Sequence, residues 1–274
     1  MPETSGPFTH DDPAPRVRAM VTLFRSTDPR DLSLIAEYPG DSDEEVEGKL
    51  AVAYEAWEGW RRRSLAERAE PLRRTAELLR ERENEYAELM AAELGKPVAA
   101  GRAEIQKCAW VAEYYAENAE AFLALEEIPT DADQSYVTYE SLGPILAIMP
   151  WNFPFWQVFR FAAPALMGGN TGLLKHAPNV CGCALAIERL LLDAGFPQGL
   201  FPTLLMDLEQ THRLIGDRRV RGVTLTGSRR AGRAVADGGE CRELHLADDG
   251  EPARLHLQVG RGPWSVFRGS ARCI

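Results

Sequence analysis

The chain lacks the marks of several protein classes. Its 31 lysines and arginines are outnumbered by 41 aspartates and glutamates, for a net charge of −10. That balance argues against nucleic acid and anionic membrane surfaces as partners. No apolar run is longer than a strand, so no segment is expected to span a bilayer. The start, Met1 to Arg18, is polar, rich in Pro and Asp, and without an apolar stretch. It does not read as a secretory signal, and residues 1–19 are expected to form a disordered arm. The cysteines number five, odd and without framework spacing, which suits a reducing, cytoplasmic setting. Cys181-Gly-Cys183 is too close for a usual zinc pair, and on a helix its two thiols point apart. No metal site is read there.

Three stretches differ in character. From Asp43 to about Leu125 the pattern is helical. Ser64-Leu-Ala-Glu67 is a capping box that opens a helix to about Arg80. A second helix runs from about Arg82 to Leu94 and stops at Gly95, with Pro97 beyond. A third, from Ala100 to about Leu125, carries Ile105, Cys108, Ala109, Ala112 and Tyr115 on one stripe. The charges on these helices read as solvated faces. Asp131–Leu142 then contains Ser135-Tyr-Val-Thr-Tyr139, an alternating β-prone segment expected to form a hairpin arm.

After residue 143 the period changes. Strands are expected at 145–149, 171–175, more weakly at Phe201–Met206, and at Val220–Thr226. Helices are expected at 155–167, 180–194, near Thr211–Ile215, and from Gly227-Ser228 to about Ala236. Four βα units in succession predict a parallel, doubly wound sheet of Rossmann type.

The strand ends carry the chemical candidates. Pro150-Trp-Asn-Phe-Pro154 follows the first strand; Pro150 ends it and Pro154 has its φ ready for a helix start. Asn152 is left in the turn, where its amide could donate to a developing oxyanion; an ordinary strand-to-helix turn is the plainer reading. Lys175, in Lys175-His-Ala-Pro178, suits a ribose hydroxyl or a phosphate, although a surface lysine would read the same. In Thr226-Gly-Ser228, Gly227 permits close backbone approach, and Ser228 sits at a helix N-terminus that favours a pyrophosphate. Neither G-x-G-x-x-G nor Tyr-x-x-x-Lys occurs, so an ordinary short-chain dehydrogenase fits poorly.

Taken together, Pro150-Trp-Asn-Phe-Pro154, Lys175-His-Ala-Pro178, Val223-Thr-Leu-Thr-Gly-Ser228, Glu93-Leu-Gly-Lys-Pro97 and Gly195-Phe-Pro-Gln-Gly199 resemble the aldehyde dehydrogenase superfamily. The resemblance covers roughly residues 20–236. The wording of 152–157 and 175–180 is most similar to the succinate-semialdehyde dehydrogenase branch. The resemblance implies that Asn152 is the oxyanion donor. It makes Met149, Trp151 and Lys175 adenosine- and ribose-side contacts, and Gly227 and Ser228 pyrophosphate and nicotinamide contacts. Arg160, the one charge in an otherwise apolar helix, falls where that branch places the arginine that clamps the substrate carboxylate. A snorkelling arginine at the sheet margin is the alternative. The cofactor implied is NAD or NADP. Where Pro178 stands the family often has a glutamate that repels a 2′-phosphate, and without it Lys175 is left to pair with that phosphate. The implied substrate is a small aldehyde, succinate semialdehyde, and the implied assembly a homo-oligomer joined through the hairpin arm.

The resemblance stops near Asp237. The family's mechanism needs a cysteine nucleophile and a glutamate that activates water, and neither motif follows. Cys241 and Cys273 lack the family context. From Gly239 the chain has five arginines, no lysine and no clear period, which is what out-of-frame reading of GC-rich DNA gives. The expected organisation is therefore a helical part over 20–125, an oligomerisation hairpin over 126–143 and a Rossmann-like core over 144–237. A tail, 238–274, outside the family pattern follows. On this reading the catalytic domain is expected to be missing and the last sheet edges unpaired, and the chain is expected to be either an enzyme part inactive alone or a nucleotide-binding remnant.

Overall fold

The computed structural model describes residues 22–237, 244–247 and 255–260. The expected arm at 1–19, Cys241 and Cys273 lie outside them. Eight helices and nine strands are present among the described residues. β1 (Leu23–Thr27) and β2 (Leu34–Pro39) form an antiparallel hairpin inside the stretch expected to be helical. Four helices follow: α1 (Asp43–Trp60), α2 (Leu65–Glu81), α3 (Glu83–Leu94) and α4 (Val98–Phe122). Ser42 with Glu45 and Ser64 with Glu67 close reciprocal capping boxes on α1 and α2. Gly95 ends α3 at φ 69°, the left-handed conformation that glycine adopts without Cβ strain.

The arm is shorter than its sequence promised. β3 (Glu126–Glu127) and β4 (Tyr136–Val137) are two-residue antiparallel strands. Beyond them come β5 (Pro144–Met149), α5 (Trp156–Met167), β6 (Thr171–His176), α6 (Cys181–Asp193), α7 (Leu208–Gly216), β7 (Gly222–Gly227) and α8 (Arg229–Asp237).

β5 is central, with β6 and β7 parallel on either side of it. The expected strand at 201–206 is not a regular one: only Thr203 bridges Leu174, in parallel sense. Pro202 has no N–H for a ladder, yet its carbonyl accepts from Leu174 N at 2.9 Å, and Leu204 N donates to Leu174 O at 2.8 Å. The segment thus lies as a rail outside β6, giving the order rail–β6–β5–β7 of a doubly wound sheet.

Successive residues of the buried strands feed opposite faces. Ala147, Met149 and Leu174 join the core formed by α2 to α6, while Leu146, Leu173, Val223 and Leu225 join α1, α7 and Val235 of α8. Both faces are covered, and for that reason these strands read as continuous apolar runs.

The tail corrects two expectations. β8 (Leu244–Ala247) and β9 (Leu255–Gly260) are antiparallel to one another, and β9 is antiparallel to β7. The β7 edge is therefore paired, and the sheet is mixed rather than purely parallel. Leu244-His-Leu and Leu255-His-Leu-Gln-Val do alternate with the period of a strand, a signal hidden by the arginine- and glycine-rich composition around them.

Candidate functional site

Parallel register sets the site. Ile148 of β5 is level with Lys175 of β6 on one side and Leu225 of β7 on the other. The turns after the three strands, 150–155, 177–180 and 227–228, therefore open on one carboxyl edge, where doubly wound sheets bind ligands. The structure brings Met149, Trp151, Asn152, Lys175, Gly227 and Ser228 to this edge.

They present themselves differently. Trp151 is 52% exposed, and Asn152 is half-buried. The Met149 side chain is buried in the core, so it offers a ligand its backbone. Lys175 is half-buried, with no hydrogen-bond or ion-pair partner among the described residues. Burial lowers its pKa, opposed by the carboxylate charge of Asp207. Ser228 is exposed and its Oγ accepts from Ala231 N at 3.3 Å, capping α8. Arg160 sits half-buried on α5 and has an interaction of its own. Gln157, one turn before it, is buried with its Oε1 unpartnered among the described residues.

The Asn152 turn is held from three sides. Behind it, Nδ1 of buried His176 accepts from Ala177 N at 2.8 Å, so Nε2 carries the proton and donates to the Pro154 carbonyl at 3.0 Å. Burial depresses the His176 pKa to about 4, which keeps the ring neutral. From below, Glu104 of α4 turns its Oε1 to the backbone N–H groups of Phe155 and Trp156, 2.9 Å each, at the start of α5. From the side, Lys96 pairs with Glu104, donates to the Asn152 carbonyl at 3.2 Å, and lies 3.9 Å from the Phe153 ring centroid.

A second carboxylate repeats the device. Glu93 of α3 accepts from Gly182 N and Cys183 N, 2.9 Å each, at the start of α6. Glu93 and Glu104 are 3% and 4% exposed, which overturns the expectation that charges on α3 and α4 line solvated faces. The signal was available for Glu104. It stands four residues before Cys108 and next to Ile105, on the stripe read as buried. A charge on such a stripe needs partners.

The remaining candidates for chemistry are closed off. Cys108, Cys181 and Cys183 are buried. Burial raises all three thiols, Cys181 to about 11 and Cys108 and Cys183 well above their ordinary value, so none is poised as a thiolate. Among the described residues no group of His, Cys, Asp and Glu could hold a metal, and no helix is long and apolar enough to cross a membrane.

A Rossmann-type layer with its candidate groups on the carboxyl edge, built on a four-helix support, is one defined class of α/β protein. Comparison with known proteins places it more narrowly. The sequence profile of the aldehyde dehydrogenase family matches residues 18–251. A protein from Synechocystis sp. named "Probable succinate-semialdehyde dehydrogenase [NADP(+)]" is 51% identical over 195 residues, which are 71% of this chain and 43% of that protein. Succinate-semialdehyde dehydrogenase [NADP(+)] 1 of Mycobacterium bovis is 46% identical over 206 residues, 73% of this chain and 45% of the relative. The structure of succinic semialdehyde dehydrogenase from Streptococcus pyogenes with NADP+ superposes with a TM-score of 0.77 at 35% identity, covering 78% of this chain and 48% of that one. This chain belongs to the aldehyde dehydrogenase family. It spans less than half the length of the curated relatives it matches.

Proposed function

We propose that the chain is the cofactor-binding part of a succinate-semialdehyde dehydrogenase-type enzyme and does not oxidise aldehydes by itself. The observation that carries this reading is the state of the three helix starts at the carboxyl edge. α5 and α6 are closed by Glu104 and Glu93, each of which accepts two backbone N–H groups. At α8 the only side-chain cap among the described residues is the helix's own Ser228. A pyrophosphate thus has one helix start with N–H groups to offer, and Gly227 lets it approach the backbone.

Lys175 fits the other anionic end. A half-buried ammonium with no counter-ion among the described residues gains from a ribose hydroxyl or a 2′-phosphate. Pro178 brings no carboxylate to oppose that phosphate, and the two relatives carry NADP(+) in their names. NADP is therefore favoured over NAD. The Met149 backbone and Trp151 flank the adenosine side. A bound nicotinamide would supply the hydride acceptor for oxidising an aldehyde to an acid. In that reaction the Asn152 amide would donate to the aldehyde oxygen, and Arg160 would grip the carboxylate of succinate semialdehyde.

The three buried, unionised thiols favour a second reading, a nucleotide-binding remnant without catalysis. The two readings part when complementary chains are added. Purified protein is mixed with succinate semialdehyde and NADP+ or NAD+, and the reduced nucleotide is followed by absorbance. No turnover alone, with turnover once a segment bearing the family's cysteine and glutamate is supplied, is the expected result. Turnover by the chain alone contradicts the proposal, and failure of every added segment favours the remnant.

A further inference from the structure

We propose that Lys96 and Glu104 are positioning residues for the Asn152 turn, setting where Trp151 and Asn152 stand at the ligand edge. The inference rests on the reading of that edge as a cofactor site. The pair is sealed from water, with side chains 8% and 1% exposed. Two charges are seldom placed in such surroundings without further partners, because their desolvation offsets most of their attraction. Here each has a second task, and both tasks concern one turn.

Glu104 spends one oxygen on Lys96 and the other on the N–H groups of Phe155 and Trp156, fixing the start of α5. Lys96 reaches from the α3–α4 connection to the Asn152 carbonyl and covers the Phe153 ring. The turn between Pro150 and Pro154 is thus gripped at its carbonyl, at its ring and at the helix it enters. Glu104 also leaves no place for a ligand anion at that helix start, so α5 holds the turn and α8 is left to the cofactor. A simple structural pair would stabilise the fold equally from any position. This pair grips the backbone of Asn152 itself, the residue read as the oxyanion donor.

The test uses the full chain labelled with 5-fluorotryptophan, in wild type, Lys96→Met, Lys96→Arg and Glu104→Gln. Trp151 is assigned by its Phe variant. Each protein is followed by fluorine NMR without ligand, by thermal melting and by calorimetric titration with NADP+. Lys96→Met is expected to shift the Trp151 signal, leave those of Trp57 and Trp60 in place, and weaken NADP+ binding about tenfold. Lys96→Arg, which retains a donor and a charge, is expected to restore both; Glu104→Gln keeps the helix cap but loses the charge, and should shift Trp151 less. An unmoved Trp151 signal in Lys96→Met, with only a lowered melting temperature, overturns the proposal. Should the wild type bind no NADP+, the cofactor reading fails while the fluorine spectra still decide the positioning role.

Discussion

Glu93 on α3 and Gly182 on α6 are complementary in shape. The Glu93 carboxylate sits where a side chain of residue 182 would begin, and a Cβ there would stand 2.8 Å from Glu93 Oε1 and 3.0 Å from the Tyr38 hydroxyl. The glycine makes room for a cap brought by another helix, and the cap ties α3 to the start of α6.

Removing either partner should therefore cost the same joint. Glu93→Ala leaves two N–H groups unpaired, that of Cys183 buried and that of Gly182 half-buried, and is expected to cost about 2–4 kcal/mol. Gly182→Ala displaces the carboxylate and is expected to cost about 1–3 kcal/mol. Denaturant unfolding of the single and double variants checks this. The double variant should lose clearly less than the sum, because both changes break one contact.

His176 makes acid stability predictable in sign. Its folded pKa, about 4, lies below the ordinary 6.5, so the unfolded chain binds a proton first as pH falls. Stability from the neutral ring is complete above about pH 6.5 and is lost progressively down to about pH 4, by about 3 kcal/mol in all. His176→Asn cannot take up that proton. The stability difference between wild type and variant should shrink across this window, and parallel pH curves would show that the ring is not held neutral.

Lys175 sets stability against binding. Its ammonium is partly desolvated with no counter-ion among the described residues, so Lys175→Met should leave the melting temperature unchanged or raise it. The same change should weaken NADP+ about tenfold or more and NAD+ less, since loss of a charge-assisted contact to a 2′-phosphate is worth about 1.5–3 kcal/mol. Parallel calorimetric titrations with the two nucleotides measure the contrast. Equal losses for both would place Lys175 on the shared ribose rather than on the phosphate.

Much of this was legible in the chain. Strands buried on both faces declare themselves as apolar runs, and Ile145–Met149 and Thr171–Lys175 fell within a residue of their observed ends. The Ser64 capping box and the Gly95 stop placed α2 and α3 because both signals are local. What failed was non-local. The β1–β2 hairpin has exposed apolar residues such as Leu23 and Leu34, so its alternation carries little contrast. Thr203 makes a sheet contact that Pro202 disguises. The glutamates at 93 and 104 looked like surface charge because their partners, Gly182 and Phe155, are some fifty to ninety residues away. For the site, the three turns were expected together at the carboxyl ends of parallel strands, and they stand there. What sequence spacing does not contain is the register that sets Ile148, Lys175 and Leu225 level.

The most direct test is a calorimetric titration of the purified chain with NADP+, repeated on Asn152→Ala and on Ser228→Glu, whose carboxylate opposes a pyrophosphate at the start of α8. The wild type is expected to bind one to one, with little change for Asn152→Ala and strong loss for Ser228→Glu. No heat of binding in the wild type, or binding that ignores the change at Ser228, would contradict a cofactor site at this edge.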